Sequence, residues 1–221
     1  SKFNRFIVAI KNGYKSTNPY HNFIHGFDVT QTVYSYLTTG KAASHLSHLE
    51  IFALLVSCLC HDLGHFGLNN NFLITTRHEL AIRYNDQSVL ENFHCAGTFE
   101  VLSAEEFNIF ENLDPAEYTT VRHFMITCIL ATDPAKFMEL LGKFKAIAEN
   151  FQPENADHRL LLMQMLIKSA DISNPVKPFK VARYWAEIVQ EEFFRQGDIE
   201  RKRGLEISGF MDREKPNLSG V

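Results

Sequence analysis

Apolar residues recur every three or four positions along almost the whole 221-residue chain, and this periodicity restricts it to a helical fold. The pattern runs through Phe3–Ile10, Phe27–Leu37, Leu49–Cys60, Val89–Leu102, Val121–Ala131, Phe137–Ile147, Arg159–Ala170 and Ala182–Phe194. No run alternates apolar and polar residues between turn signals, so a sheet is not expected. Residues that stop helices separate the stretches: Asp114-Pro115, Asp133-Pro134, Gln152-Pro153-Glu154-Asn155, and Asn174-Pro175 through Pro178. No repeat, low-complexity tract or long linker divides the chain, and 45% apolar residues can bury one sizeable core. The expected fold class is all-α, a compact multi-helix single domain over residues 1–221, with Ser208–Val221 read as a loop.

Charge and cysteine usage exclude several functions. A net charge of −4, with no basic run longer than Arg201-Lys202-Arg203, argues against a nucleic-acid partner. No stretch approaches the roughly 18 apolar residues of a membrane span. Ser1-Lys2-Phe3-Asn4 lacks the basic-then-apolar layout of a signal peptide. Cys58, Cys60, Cys95 and Cys128 offer one Cys-x-Cys and no second pair, so they read as buried free thiols in a reducing, cytoplasmic compartment. Asn217-Leu218-Ser219 matches a glycosylation sequon, too short a match to carry an argument. None of these patterns sets an oligomeric state.

Two short islands carry chemistry: Asn18-Pro19-Tyr20-His21-Asn22-Phe23-Ile24-His25 and His61-Asp62-Leu63-Gly64-His65. They hold four of the ten histidines, and Ala170-Asp171-Ile172-Ser173-Asn174-Pro175 belongs with them. His21 and His25 are four apart and would share one face of a helix or tight turn. His61 and Asp62 follow an apolar run that would cross the core and emerge at a pocket floor, and His65 returns to that face. Each signal alone has a bland reading: a surface histidine pair, a chance His-Asp dipeptide, an Asp171 that merely caps a helix. Together they point to metal, because Asp62 and Asp171 each end a strongly apolar run where an unpaired charge is costly. Imidazole with carboxylate suits zinc, manganese or iron, and an adjacent carboxylate-and-water site suits magnesium. Two adjacent metals sharing an activated water perform phosphoester hydrolysis.

With these residues assembled, the chain resembles the catalytic domain of class I cyclic nucleotide phosphodiesterases. The resemblance rests on six ordered motifs between about residues 18 and 210: Tyr20-His21-Asn22-x-x-His25-x-x-Asp28-Val29, His61-Asp62-x-x-His65-x-Gly67, Tyr84-Asn85-Asp86-x-Ser88-Val89-Leu90-Glu91-Asn92, Leu130-Ala131-Thr132-Asp133, Ala170-Asp171-x-Ser173-Asn174-Pro175, and Glu191 through Asp198. It implies an HD-type metal phosphohydrolase fold that hydrolyses 3′,5′-cyclic AMP or GMP to 5′-monophosphates and so ends a signal. It implies two divalent cations, zinc at the first site and magnesium or manganese at the second. His25, His61, Asp62 and Asp171 would hold the first, and Asp62 would bridge to the second. His65, Glu91 and Thr132 would hold its waters. His21 would be the general acid, with Glu91 orienting it and favouring its charged form. Tyr20, Asn174, Val189 and Phe193 would line the nucleotide pocket, with Trp185 and Ile172 as core or pocket wall.

The chain also departs from the family pattern. Gly64 replaces a usual Asp, Phe66 a common Pro, Pro134 an apolar residue near the pocket, and Ala182 a larger aromatic. Neither Gly64 nor Phe66 is a metal ligand, so activity is expected to survive, while Pro134 implies a different inhibitor preference and Ala182 a roomier pocket. The resemblance also places further helices before this segment and a purine-recognising glutamine on a helix after the tail loop. None of Gln152, Gln164, Gln190 or Gln196 takes that place, so the domain reads as truncated at both ends. A more distant HD-type nucleotide phosphohydrolase would not need the 191–198 motif. A silent nucleotide-binding domain would not need every ligand and His21.

Overall fold

The computed structural model describes residues 1–215; residues 216–221, which include the sequon and the end of the expected tail loop, lie outside it. Among the described residues there are ten α-helices and no strand. They are α1 (Lys2–Gly13), α2 (Phe23–Thr38), α3 (His48–Cys60), α4 (Asn70–Thr75), α5 (Glu79–Arg83), α6 (Val89–Ser103), α7 (Pro115–Leu130), α8 (Phe137–Ala148), α9 (Ala156–Asp171) and α10 (Phe179–Lys202). None is long and apolar enough to cross a membrane. The all-α reading holds, and each of the eight periodic stretches lies on its own helix, apart from the final residue of the Val121–Ala131 run, which caps α7.

α3 is apolar on nearly every side, which only a helix packed all round can tolerate. It runs between α2 and α7, with Ala53, Leu54, Cys58 and Cys60 fully buried. Around it, Phe6 and Ile10 of α1, Val29 and Val33 of α2, Met125 and Cys128 of α7, and Met163 and Ile167 of α9 complete the main core. A capping box fixes where α3 starts: Ser47 accepts the Glu50 N–H, and Glu50 accepts the Ser47 N–H. Glu50 also pairs with Arg159 of α9 at 2.9 Å, so α3 and α9 enter the core in register. Because α3 begins there and runs through the interior, the chain leaves it at His61, only 1% exposed.

The periodic pattern stops short on two helices and misses two others. α7 starts at Pro115, six residues before the pattern, because Asp114 caps it and its first turns face solvent. α10 continues past Phe194 because its inner stripe there is polar: Glu192, Gln196 and Glu200 are each at most 2% exposed. α4 and α5 have six and five residues, too few to display a period. They carry Phe72, Leu73, Leu80 and Ala81 into a second, smaller core with Val89 and Leu90 of α6.

Candidate metal centre

Asn22 caps α2 by accepting the Ile24 N–H, so His25 sits in the first turn while His21 lies ahead of the helix. The two histidines therefore do not share a helical face as their spacing predicts; their rings stand at 84° with centroids 5.8 Å apart. His61 caps the C-terminal end of α3, and the chain turns through Gly64 at φ +77° to bring His65 back. Asn18 joins the two islands: its amide donates to the carbonyls of His21 (2.9 Å) and His65 (2.8 Å). α9 contributes Asp171 as its last residue.

His25, His61, Asp62 and Asp171 converge, with one donor atom from each within 4.8 Å of the others. His25 Nε2 lies 3.1 Å from Asp171 Oδ1 and 3.3 Å from Asp62 Oδ2; His61 Nε2 lies 3.1 Å from Asp62 Oδ2 and 3.3 Å from Asp171 Oδ1. His61 Nδ1 faces the Cys58 carbonyl at 2.8 Å. A carbonyl only accepts, so Nδ1 carries the proton and the neutral ring keeps its lone pair on Nε2. That nitrogen is buried, has no hydrogen-bond partner, and points at two carboxylate oxygens. Three lone-pair atoms facing one point repel unless something positive sits among them. Burial opposes charging His61, yet Asp62 and Asp171 outweigh it and push its pKa well above the imidazole range. The donor set thus fits a divalent cation.

His21 Nδ1 is paired with Glu192 Oε1, and Glu192 Oε2 accepts the N–H groups of Tyr20 (2.9 Å) and His21 (3.0 Å). This corrects the expected partner. Glu91 accepts from Asn70 Nδ2 at 2.9 Å and makes no bond to His21, because it enters from α6 whereas α10 lies against the His21 backbone. Burial works against the His21 charge, but Asp62 and then Glu192 reverse that and raise its pKa. Burial pushes the Glu91 carboxyl up to about 7, the Asn70 bond opposing it.

His65 stacks on His21 with centroids 3.9 Å apart and 19° between planes. Its Nδ1 accepts the Gly67 N–H at 2.9 Å; burial and the neighbouring His21 hold its pKa well below the usual range. His94 of α6 went unnoticed in the motifs although it lies three residues beyond Glu91. Its Nδ1 faces the Leu63 carbonyl (2.7 Å), its Nε2 is 3.7 Å from Asp62 Oδ1, and burial lowers its pKa to about 4. Asp62, His65 and His94 form a second set of donors. Buried Lys168, also missed, donates to the Thr132 carbonyl (2.7 Å) and lies 3.6 Å from Asp171 Oδ2. The Thr132 hydroxyl donates to the Ile129 carbonyl, leaving its oxygen free to accept.

On the expected nucleotide side, Tyr20 Oη donates to Asn174 Oδ1 at 2.6 Å, and Asn174 donates to Asp28 on α2. Trp185 is buried against Tyr20 and His25, so it serves as core, whereas Ile172 is exposed. Val189 and Phe193 are half-buried on α10, and the Phe193 ring packs on Phe210 at 5.4 Å.

Comparison with known proteins decides the family. Residues 20–221 match the family described as 3′5′-cyclic nucleotide phosphodiesterase. The chain belongs to that family. It is 44% identical over 211 residues to the high affinity cGMP-specific 3′,5′-cyclic phosphodiesterase 9A of Pan troglodytes, covering 96% of this chain and 35% of the relative. It is 39% identical over 222 residues to the 3′,5′-cyclic-AMP phosphodiesterase 4C of Rattus norvegicus, covering 97% and 41%. The solved structure of LmjPDEB1 in complex with IBMX superposes with a TM-score of 0.94 at 42% identity, over 98% of this chain and 65% of that one. The chain therefore spans about a third to two-fifths of the length of these two curated relatives. Cyclic nucleotide phosphodiesterases depend on metal, and the His and Asp clusters of this member suit one.

Proposed function

We propose that this phosphodiesterase family member hydrolyses the 3′ phosphoester bond of a 3′,5′-cyclic purine nucleotide. Water adds to phosphorus, the bond to O3′ breaks, and O3′ leaves protonated as part of the nucleoside 5′-monophosphate. His25, His61, Asp62 and Asp171 would hold the first cation, for which two imidazoles and two carboxylates favour zinc. Asp62 would share a second, mostly hydrated magnesium or manganese, with His65, His94, Glu91 and Thr132 placed to hold its waters. When bound, the cations supply positive charge to the phosphoryl oxygens and a water acidic enough to attack at neutral pH.

The chain's own residues do the rest. His21, kept charged by Glu192, gives its proton to departing O3′. Tyr20 and Asn174, bonded to each other, orient the phosphate-ribose end, and Val189 with Phe193 holds the base between apolar surfaces. Cytoplasmic action fits the four buried, unpaired cysteines.

The observation that carries this reading is the unpartnered His61 Nε2 aimed at two carboxylates, next to a separate histidine already paired for proton donation. Two variants test it. Asp171→Ala should empty the first site and abolish turnover. His21→Ala should lose about 10²–10⁴-fold in rate while retaining its metal. Wild-type zinc content and activity in Asp171→Ala, or a vacant site in His21→Ala, would sink the assignment.

A further inference from the structure

The segment Ser88-Val89-Leu90-Glu91 has the spelling of a capping box, in which Ser88 would cap α6 and Glu91 would reach back to the Ser88 N–H. The structure does not form it. Ser88 adopts a left-handed backbone (φ +42°) and makes no side-chain cap; its hydroxyl donates instead to Asp133 Oδ2 at 2.8 Å. Asn85 and Asp86 just before it are also left-handed, at φ +52° and +61°. Such residues cost free energy and persist only where their surroundings hold them. What replaces the missing cap comes from another helix. Asn70, the first residue of α4, accepts the Leu90 N–H through Oδ1 (2.9 Å) and donates through Nδ2 to Glu91 Oε2 (2.9 Å). One amide thus does the cap's work for α6 and diverts the carboxylate that would otherwise have closed the box.

We infer that Asn70 is a positioning residue: by capping α6 from outside and clamping Glu91, it fixes where that carboxylate points and so sets how tightly the second cation is held. The inference rests on the reading of Glu91 as a holder of that cation's waters. Asn70 is not one of the converging donor residues, and its amide reaches the Glu91 carboxylate directly. Glu91 is itself 6% exposed, so a carboxylate stripped of its one side-chain donor has no solvent to replace it. The burial that pushes its pKa up then goes unopposed by Asn70, which favours the neutral form, a poorer acceptor for a cation's waters.

The test is a double-mutant cycle read as Mn²⁺ affinity, by electron paramagnetic resonance of free Mn²⁺ against zinc-loaded protein. Glu91→Gln and Asn70→Ala should each weaken Mn²⁺ about 10–100-fold. If Asn70 acts through the Glu91 carboxylate, the double variant should be no weaker than the weaker single one. Losses that multiply, or wild-type Mn²⁺ affinity in Asn70→Ala beside a weakened Glu91→Gln, would overturn the role of Asn70 and leave that of Glu91 standing. Wild-type affinity in Glu91→Gln would instead remove the reading of Glu91, and this inference with it. If Asn70→Ala fails to fold, Asn70→Asp serves: it keeps the acceptor for Leu90 but sets a second carboxylate against Glu91. At pH 8 it should fold as wild type and bind Mn²⁺ at least tenfold more weakly; unchanged affinity would overturn the inference.

Discussion

Replacing Glu192 by Gln isolates what holds the His21 proton. The substitution keeps the shape and leaves one oxygen for the Tyr20 and His21 N–H groups, but removes the charge facing His21 Nδ1. Asp62 also favours the charged imidazole, yet a cation held on Asp62 cancels that help and leaves Glu192 as the group that matters. A hydrogen bond to an ionised partner contributes about 1.5–3 kcal/mol, and each 1.36 kcal/mol is tenfold. The His21 ring retains 22% exposure, which places this pair toward the lower end. The protonated fraction above neutral pH should thus fall roughly ten- to thirtyfold. In a form of the protein that turns over cyclic nucleotide, kcat at pH 8 should drop by that factor. The drop should shrink as pH falls and the imidazole regains its proton, so the alkaline limb moves to lower pH. Imidazole resonances followed by NMR give the same answer without turnover.

The linkage carries a sign that stability can check. His21 has a folded-state pKa above its unfolded value, so the pair's contribution to folding is complete below about pH 6.5 and is lost as pH rises through the raised pKa. Urea melts of wild type and Glu192→Gln should differ most at pH 5.5 and converge at high pH. An alkaline limb that stays in place, with a stability difference that grows with pH, would refute the argument.

Three further perturbations have outcomes set by the structure. Stripping metal with a chelator should lower the melting temperature by about 10 °C, since ligand at a thousandfold its Kd contributes about 4 kcal/mol and a chain of this length shifts about 2–4 °C per kcal/mol; an unmoved melt would mean that no cation is held. Gly64→Asp, which restores the residue usual in the family pattern, should cost about 1–2 kcal/mol, because φ is +77° and a Cβ there would lie 2.9 Å from the Phe93 ring; a denaturant midpoint at or above wild type would contradict this. Gly197→Ala would place its Cβ 2.0 Å from the Met211 carbonyl oxygen, so the loop Glu200 holds through Ser208 should lift off α10. Limited proteolysis should then cut between residues 205 and 215 faster than in wild type, and an unchanged digestion pattern would count against that packing.

The fold was legible wherever the buried face of a helix is apolar, and it went unread where the buried face is polar. The end of α10 is the clearest case. Glu192, Gln196 and Glu200 repeat at four-residue spacing as any core stripe does, but they bury hydrogen bonds to the 18–21 turn, Asn69 and Ser208, which a hydrophobic period cannot register. The ligand residues could be picked out because they fall in short motifs at the ends of apolar runs. Partnerships could not. Glu91 and Glu192 both lie in motifs that mark the family, and nothing along the chain says which carboxylate meets His21 across 171 residues.

What separates the histidines is which group each Nδ1 meets. At His61 and His94 it faces a backbone carbonyl, which keeps a proton on Nδ1 and turns Nε2 toward Asp62. At His65 it accepts the Gly67 N–H, which leaves the ring neutral with its proton on Nε2. At His21 it faces the Glu192 carboxylate, which favours a proton on both nitrogens. Four chemically identical side chains thereby become two lone-pair donors, one neutral platform and one acid. The stack of His21 on His65 is stable in that arrangement because only one of the two rings is charged. Exchanging the Nδ1 partner should therefore change a histidine's role without moving its ring, and it is backbone groups at Cys58, Leu63 and Gly67, together with one carboxylate on α10, that make these assignments.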